Sequence, residues 1–162
     1  MRDATPLQRA IRQGRPFQSL SHEATVAILH TADVVRRRMA EVVANEDITL
    51  QQFNVLRILR GAGEAGVATL EVADRMVEQA PGITRLLDRL EAKELVKRQR
   101  CPKDRRQHLC WITARGLAVL ERLDSPMLRA AEVCTANLSR SDQTQLIRLL
   151  DSIRDTKSVP CE

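Results

Sequence analysis

The chain has 162 residues, 43% of them hydrophobic but only 2% aromatic, with no Tyr, so its core must be built from Leu, Val, Ile and Ala. Its net charge of +5 and isoelectric point near 9.5 suit a polyanionic partner. No apolar run is long enough to span a membrane and no signal-peptide apolar core stands near the N-terminus, so one compact domain, or one with helical extensions, is expected in the cytoplasm.

Residues 1–18 are polar and contain Pro6, Gly14 and Pro16. The composition allows a short helix from Pro6 to Gln13, and the rest reads as a flexible arm or as a strap on a partner subunit. From His22 to Ala44, Ile28, Ala32, Val35, Met39 and Val42 form one stripe and predict a long helix. Asn45-Glu46-Asp47 breaks it. Thr49 is placed to cap a helix over Leu50 to Arg60, with Phe53, Leu56 and Leu59 inward. Gly61, Gly63 and Gly66 mark a loop, and Val67 to Thr69 has the composition of a short strand.

Residues 70–113 carry the most information. Leu70, Ala73 and Met76, with Val77 beside them, predict one short helix. Ile83, Leu86, Leu87 and Leu90 predict a second. Pro81, Arg85, Asp88 and Ala92 then lie on its outer face, flanked by Thr84 and Arg89. Gln79 stands where an N-terminal cap belongs, and Pro81 falls in the first turn, where its missing N–H costs little. Arg85 is available for guanine edges or phosphate. Taken alone, this is also the pattern of an ordinary amphipathic helix with a solvated face.

The hairpin that follows decides between the two readings. Val96 to Arg100 and Gln107 to Ile112 predict paired strands, with Cys110 and Ile112 on the core face and Leu109 and Trp111 on the other. From Lys97 to Arg106 the basic residues are Lys97, Arg98, Arg100, Lys103, Arg105 and Arg106, against Asp104 alone. Phosphate neutralisation and minor-groove insertion need such an excess; a solvated loop does not. Two helices followed at once by a basic hairpin make a winged helix-turn-helix, mainly α with a small β-hairpin wing.

After the hairpin, Thr113 is placed to cap another long helix, with Leu117, Leu120, Leu123, Met127, Ala131, Cys134 and Leu138 in one stripe. Pro126 predicts a kink or break at Asp124-Ser125-Pro126. Ser139 or Ser141 starts a last helix carrying Leu146, Leu150 and Ile153. The apolar stripes at both chain ends exceed what the central module needs to cover itself. Ile28, Leu123, Leu146 and Leu150 are therefore expected in a dimer interface. The expected organisation is an arm over 1–18, a dimerisation helix over 19–47, a DNA-binding domain over 48–113, and dimerisation helices and tail over 114–162.

Cys101, Cys110, Cys134 and Cys161 are scattered, and His22, His30 and His108 fall at no metal-ligand spacing, so neither a metal nor any other cofactor is expected. A wing tip near Asp104 sets Cys101 opposite Gln107 or His108 and away from Cys110. Cys134, on its stripe, reads as a core residue. No phosphate loop, nucleophile elbow or HExxH is present, which speaks against an enzyme. The competing reading is a winged helix that binds protein and no DNA; Lys103, Arg105, Arg106 and Arg85 together argue against it.

Asp104-Arg105-Arg106, then Ile112-Thr113 and Gly116, resembles the wing signature of the MarR family of transcriptional regulators. LQQFNVLRILRGAG (Leu50 to Gly63) and TRLLDRLEAKELVKR (Thr84 to Arg98) are similar to it as well, so the likeness covers roughly residues 20–155. Glu94 departs from the pattern: the family usually has Gly there, where a left-handed backbone ends the helix. The resemblance implies a homodimer on a pseudo-palindromic double-stranded operator, with a recognition helix in the major groove. It further implies Arg106 as the wing arginine in the minor groove, Asp104 as its positioning partner and Arg105 as a second tip contact. With the helical residues, the expected DNA-binding set is Gln79, Pro81, Thr84, Arg85, Arg89, Asp104, Arg105 and Arg106. A pocket for a phenolic or amphipathic anion is implied too. The first long helix, the Phe53 helix and the helix after the wing converge where such a ligand changes the spacing of two reading heads. His30, Asp33, Arg37 and Arg38 are the polar residues expected there, with Phe53 as apolar wall.

Overall fold

Hydroxyl side chains start five of the helices, the first through Thr5 Oγ1, which accepts from the Gln8 N–H. Ser19 Oγ accepts from the His22 N–H, Thr49 Oγ1 from Gln52, Thr113 Oγ1 from Gly116 and Ser139 Oγ from Asp142. Each satisfies a backbone donor that the helix itself cannot. The computed structural model describes residues 4–79, 82–101 and 107–155. In chain order it contains α1 (Pro6–Ala10), α2 (Leu20–Ala44), α3 (Leu50–Ala62), a 3-10 turn (Gly63–Ala65), β1 (Val67–Ala68) and α4 (Thr69–Asp74). Then come α5 (Ile83–Ala92), β2 (Val96–Arg100), β3 (His108–Ile112), α6 (Ala114–Cys134) and α7 (Arg140–Arg154).

The fold is mainly helical, with a three-stranded antiparallel sheet in the order β1-β3-β2. Val67 pairs with Cys110, so the two-residue strand stitches the α3–α4 connection to the wing. The wing register runs from Val96 opposite Ile112 to Arg100 opposite His108. The Cys101 N–H then donates to Gln107 O at 2.9 Å, which keeps Cys101 away from Cys110. α3 supplies the centre of the core through Phe53, Val55, Leu56 and Leu59, closed by Val72, Leu87, Leu90, Val96, Cys110 and Leu120. α2 packs along α6. No helix among the described residues is long and apolar enough to cross a membrane.

Several expectations change. Leu70 is 72% exposed and Val72 is the buried residue of α4. The strand just before this short helix anchors Val67 in the core, and that anchor sets which way the next turn faces. Val77 lies beyond the helix and is exposed. Gln79 is not a cap: α5 begins at Ile83, after Gly82 in the left-handed region at φ 88°. Pro126 does not break α6, whose Leu123 and Ala130 are buried on either side of it and hold the helix through the proline. Cys134 is half-buried at the last turn of α6, where the core has already ended.

Asp47 turns the chain after α2 at φ 53°. Glu94 has φ 58°, in the left-handed region that favours glycine. Its carbonyl accepts from Thr113 Oγ1 at 2.7 Å and its carboxylate meets Arg115 Nη1 at 2.7 Å, tying the end of α5 to the start of α6. Gly116 sits against that turn, and a Cβ there would lie 2.4 Å from Leu95 O.

Candidate nucleic-acid interface

The α5 sequence has one apolar edge, and the fold buries it. Leu87 and Leu90 are in the core, with Ile83 and Leu86 packed beside them. Thr84, Arg85, Asp88, Arg89 and Ala92 remain on the open side. Arg85 and Arg89 engage no other side chain among the described residues, so both guanidinium groups are free to meet a ligand. Gln79 is exposed just upstream. Pro81 and the wing-tip residues Asp104, Arg105 and Arg106, together with Lys103, lie outside the described residues.

The wing rises beside α5. Lys97 Nζ stands 5.7 Å from the centre of the Trp111 ring, and Trp111 Nε1 donates to Glu64 O at 3.0 Å. Gly66 lies flat against that indole; a Cβ at its φ of 69° would fall 2.5 Å from the ring. Among the described basic residues of the wing, Arg98 is the one that pairs with carboxylates of α5. Its side chain turns under α5 and binds Asp88 and Glu91. Burial works against its charge, but its hydrogen bonds to Glu91 and Asp88 outweigh that and hold the pKa above the usual arginine value. Arg98 is therefore withdrawn from the set of wing cations facing outward.

A cleft between α5 and the wing is lined by Thr69, Leu70, Thr84, Arg98, Gln107 and His108. Five of these, Thr69, Leu70, Arg98, Gln107 and His108, are outside the expected DNA-binding set. The sequence pattern assigns Leu70 to the core because an apolar residue on a helix ordinarily packs there. The inward turn of α4 on Val72 is what frees it.

A second cavity, about 240 Å³, opens between α2, α3 and α6. Met39, Leu50, Phe53, Met76 and Met127 make it apolar, and Arg57 and Glu78 add charge. The Arg57 guanidinium lies 5.9 Å from the Phe53 ring centre. Phe53 is the wall expected from sequence, but His30, Asp33 and Arg38 do not line the cavity. Met39 is where α2 reaches it, and a rise of about 1.5 Å per residue leaves His30 and Asp33 well down the axis. Arg38 turns to solvent, while Asp33 holds Arg36 at 3.5 Å and Arg37 at 3.0 Å.

Of the four residues assigned to a dimer interface, Ile28 and Leu146 are exposed and Leu150 is half-buried. Leu123 is 2% exposed within the single chain and belongs to its core, so it is removed from that set. Ile153, on the stripe with Leu146 and Leu150, is exposed too, and Ile147 and Leu149 are exposed apolar residues of α7 outside that stripe.

The sequence model of the MarR family matches residues 48–108, from the start of α3 to the return strand of the wing. A MarR transcription factor from Planctomyces limnophilus has a solved structure that is 37% identical, covers 84% of this chain and 98% of its own, and superimposes with a TM-score of 0.66. A cysteine-to-serine mutant of MarR from E. coli, solved in complex with operator DNA, is 26% identical, covers 93% and 99% of the two chains and has a TM-score of 0.72. The homoprotocatechuate degradative operon repressor of Escherichia coli is 26% identical over 127 residues, 78% of this chain and 84% of the repressor. Two other curated relatives are spanned over only 64% and 54% of their own length.

Proposed function

The chain belongs to the MarR family of winged helix-turn-helix DNA-binding transcriptional regulators, which are not enzymes, and from that premise we propose that it is a homodimeric repressor released from a pseudo-palindromic operator by a small molecule. The observation that carries the reading is α5: its apolar edge is buried, its arginines Arg85 and Arg89 engage no other side chain among the described residues, and the strands of a wing with a basic sequence stand beside it. In this reading residues 48–113 meet DNA. Gln79, Pro81, Thr84, Arg85 and Arg89 face the major groove, and Asp104, Arg105 and Arg106 take the wing into the minor groove.

Residues 19–47 and 114–155 hold two copies together. The support is the apolar surface left on α2 and α7, at Ile28, Leu146, Leu150 and Ile147, which costs about 25 cal/mol per Å² while it stays in water. A two-fold pair sets its reading helices about one DNA turn apart. The effector is an aromatic or amphipathic anion. The Phe53 cavity is apolar, with Arg57 and Glu78 on its lining, and a relative in Escherichia coli is the homoprotocatechuate degradative operon repressor. Such a ligand acts only by favouring one spacing of the reading heads.

Footprinting the purified protein on the DNA upstream of its own gene, with and without aromatic carboxylates, tests the whole reading. Paired protected half-sites that clear on addition of ligand are expected. Protection of a single half-site, or a monomer by light scattering at micromolar concentration, overturns the dimer. Protection unchanged by any aromatic carboxylate overturns the effector.

A further inference from the structure

Arg98 stands on β2 beneath the helix proposed to read DNA, and it is held there from several sides. Its Nη2 lies 2.5 Å from Asp88 Oδ1 and 2.6 Å from Glu91 Oε2, and its Nε lies 2.9 Å from Glu91 Oε2. Its backbone N–H donates to Glu91 Oε1 at 3.2 Å. The side chain is only 19% exposed, unlike a surface pair that water and salt loosen. Asp88 and Glu91 are both of the carboxylates that α5 carries, and Arg85 and Arg89 no more than balance them. A helix without net charge gains little from a phosphate backbone. A guanidinium that forks onto two carboxylates removes that handicap and fixes the directions of both partners.

From this geometry we infer that Arg98 is a positioning residue for DNA recognition. It locks the wing to α5 at one angle and neutralises Asp88 and Glu91, and it makes no phosphate contact of its own. The inference rests on α5 being the reading helix. Salt dependence separates the two roles. A phosphate contact adds about 0.9 to the slope of log affinity against log salt, and a residue acting from behind adds nothing.

The test compares wild type with Arg98→Gln, Arg98→Lys and the double variant Asp88→Asn/Glu91→Gln. Each is titrated with a duplex from upstream of its gene and a random duplex of equal length, between about 50 and 200 mM salt. Hydrogen exchange is measured on the free proteins. Arg98→Gln should bind the upstream duplex about tenfold more weakly, with the wild-type salt slope on both duplexes. Lysine, a point charge without a fork, should recover only part of the loss. The double variant gains positive charge, so it should hold random DNA at least as tightly as wild type while its preference for the upstream duplex falls about tenfold. Amides of β2 and the second half of α5 should exchange faster in Arg98→Gln and in the double variant, which keeps the measurement available if Arg98→Gln does not fold.

A slope lower by about one phosphate in Arg98→Gln would make Arg98 a direct contact and overturn the inference. Unchanged exchange together with unchanged preference would do the same. Exchange needs no DNA, and the slope can be read on the random duplex alone. A wild type without preference for the upstream duplex, with exchange altered as expected, would overturn the operator reading and leave the role of Arg98 standing.

Discussion

Arg36 of α2 and Glu78 of the segment leading into α5 meet at 2.6 Å, beside the Phe53 cavity that Glu78 also lines. The hydrogen bond to Glu78, more than the charge of that carboxylate, holds the Arg36 pKa above the usual value. Because both groups are exposed, the pair adds little to stability. Its position matters more, since it joins the scaffold helix to the approach of the reading helix at the edge of the proposed ligand cavity.

Glu78→Gln should therefore alter the ligand response more than the DNA affinity. Removing a carboxylate from the cavity wall removes like-charge repulsion toward an aromatic carboxylate. The ligand concentration that raises the melting temperature should fall about fivefold, while DNA affinity without ligand moves less than about twofold. Melting curves with benzoate-type ligands, beside gel shifts, give both numbers. Equal ligand titrations for variant and wild type would remove Glu78 from the response.

Glu94→Gly should stabilise the protein. The gain is relief of a left-handed backbone at φ 58°, set against loss of an exposed ion pair with Arg115. The balance is about 0.5–1 kcal/mol in favour of glycine, or about 2 °C in melting temperature. A lower melting temperature in the variant would mean that the Arg115 contact outweighs the backbone.

Gly116→Ala should do the reverse. The new Cβ meets Leu95 O at 2.4 Å and Ile112 Cγ1 at 2.7 Å, and a backbone carbonyl cannot step aside. A cost of about 1–3 kcal/mol is expected, read as a lower urea midpoint with an unchanged slope. A midpoint equal to wild type would show that α6 can shift on the turn.

Arg85→Ala and Arg106→Ala should separate base reading from anchoring. Both should weaken operator binding by about 1–3 kcal/mol, but only Arg85→Ala should also relax the preference among bases. Gel-shift titrations at fixed salt on operator variants measure this. Wild-type affinity in both would exclude these arginines from the interface.

The parts most legible in the sequence are those where periodicity and punctuation agree. The caps at Thr49 and Thr113, the core edge of α5 and the wing register follow from residue type and spacing, while the left-handed position of Glu94 follows from the family resemblance and the choice of Ser139 over Ser141 from the structure. Legibility fails where a tertiary anchor overrides a local pattern. On α4 the strand pairing of Val67 with Cys110 sets the phase, and Val72 displaces Leu70 from the core. Arg98 reads as one more wing cation because sequence alone does not show that Asp88 and Glu91 stand above it. The stripe that includes Leu123 does not distinguish a core within one chain from an interface between two. Helix membership alone points to His30, Asp33 and Arg38, whereas the cavity meets α2 at Met39.

Trp111 has one further consequence. It is the only Trp, and the chain contains no Tyr, so emission excited at wavelengths beyond phenylalanine absorption comes from a single indole on β3 of the wing. That indole is bounded by Gly66, by the Lys97 ammonium and by its own bond to Glu64 O. A wing that shifts against the body changes the polarity around this ring, and with it the emission excited at those wavelengths. The protein thus carries an intrinsic optical reporter of wing position, readable by stopped flow without a label.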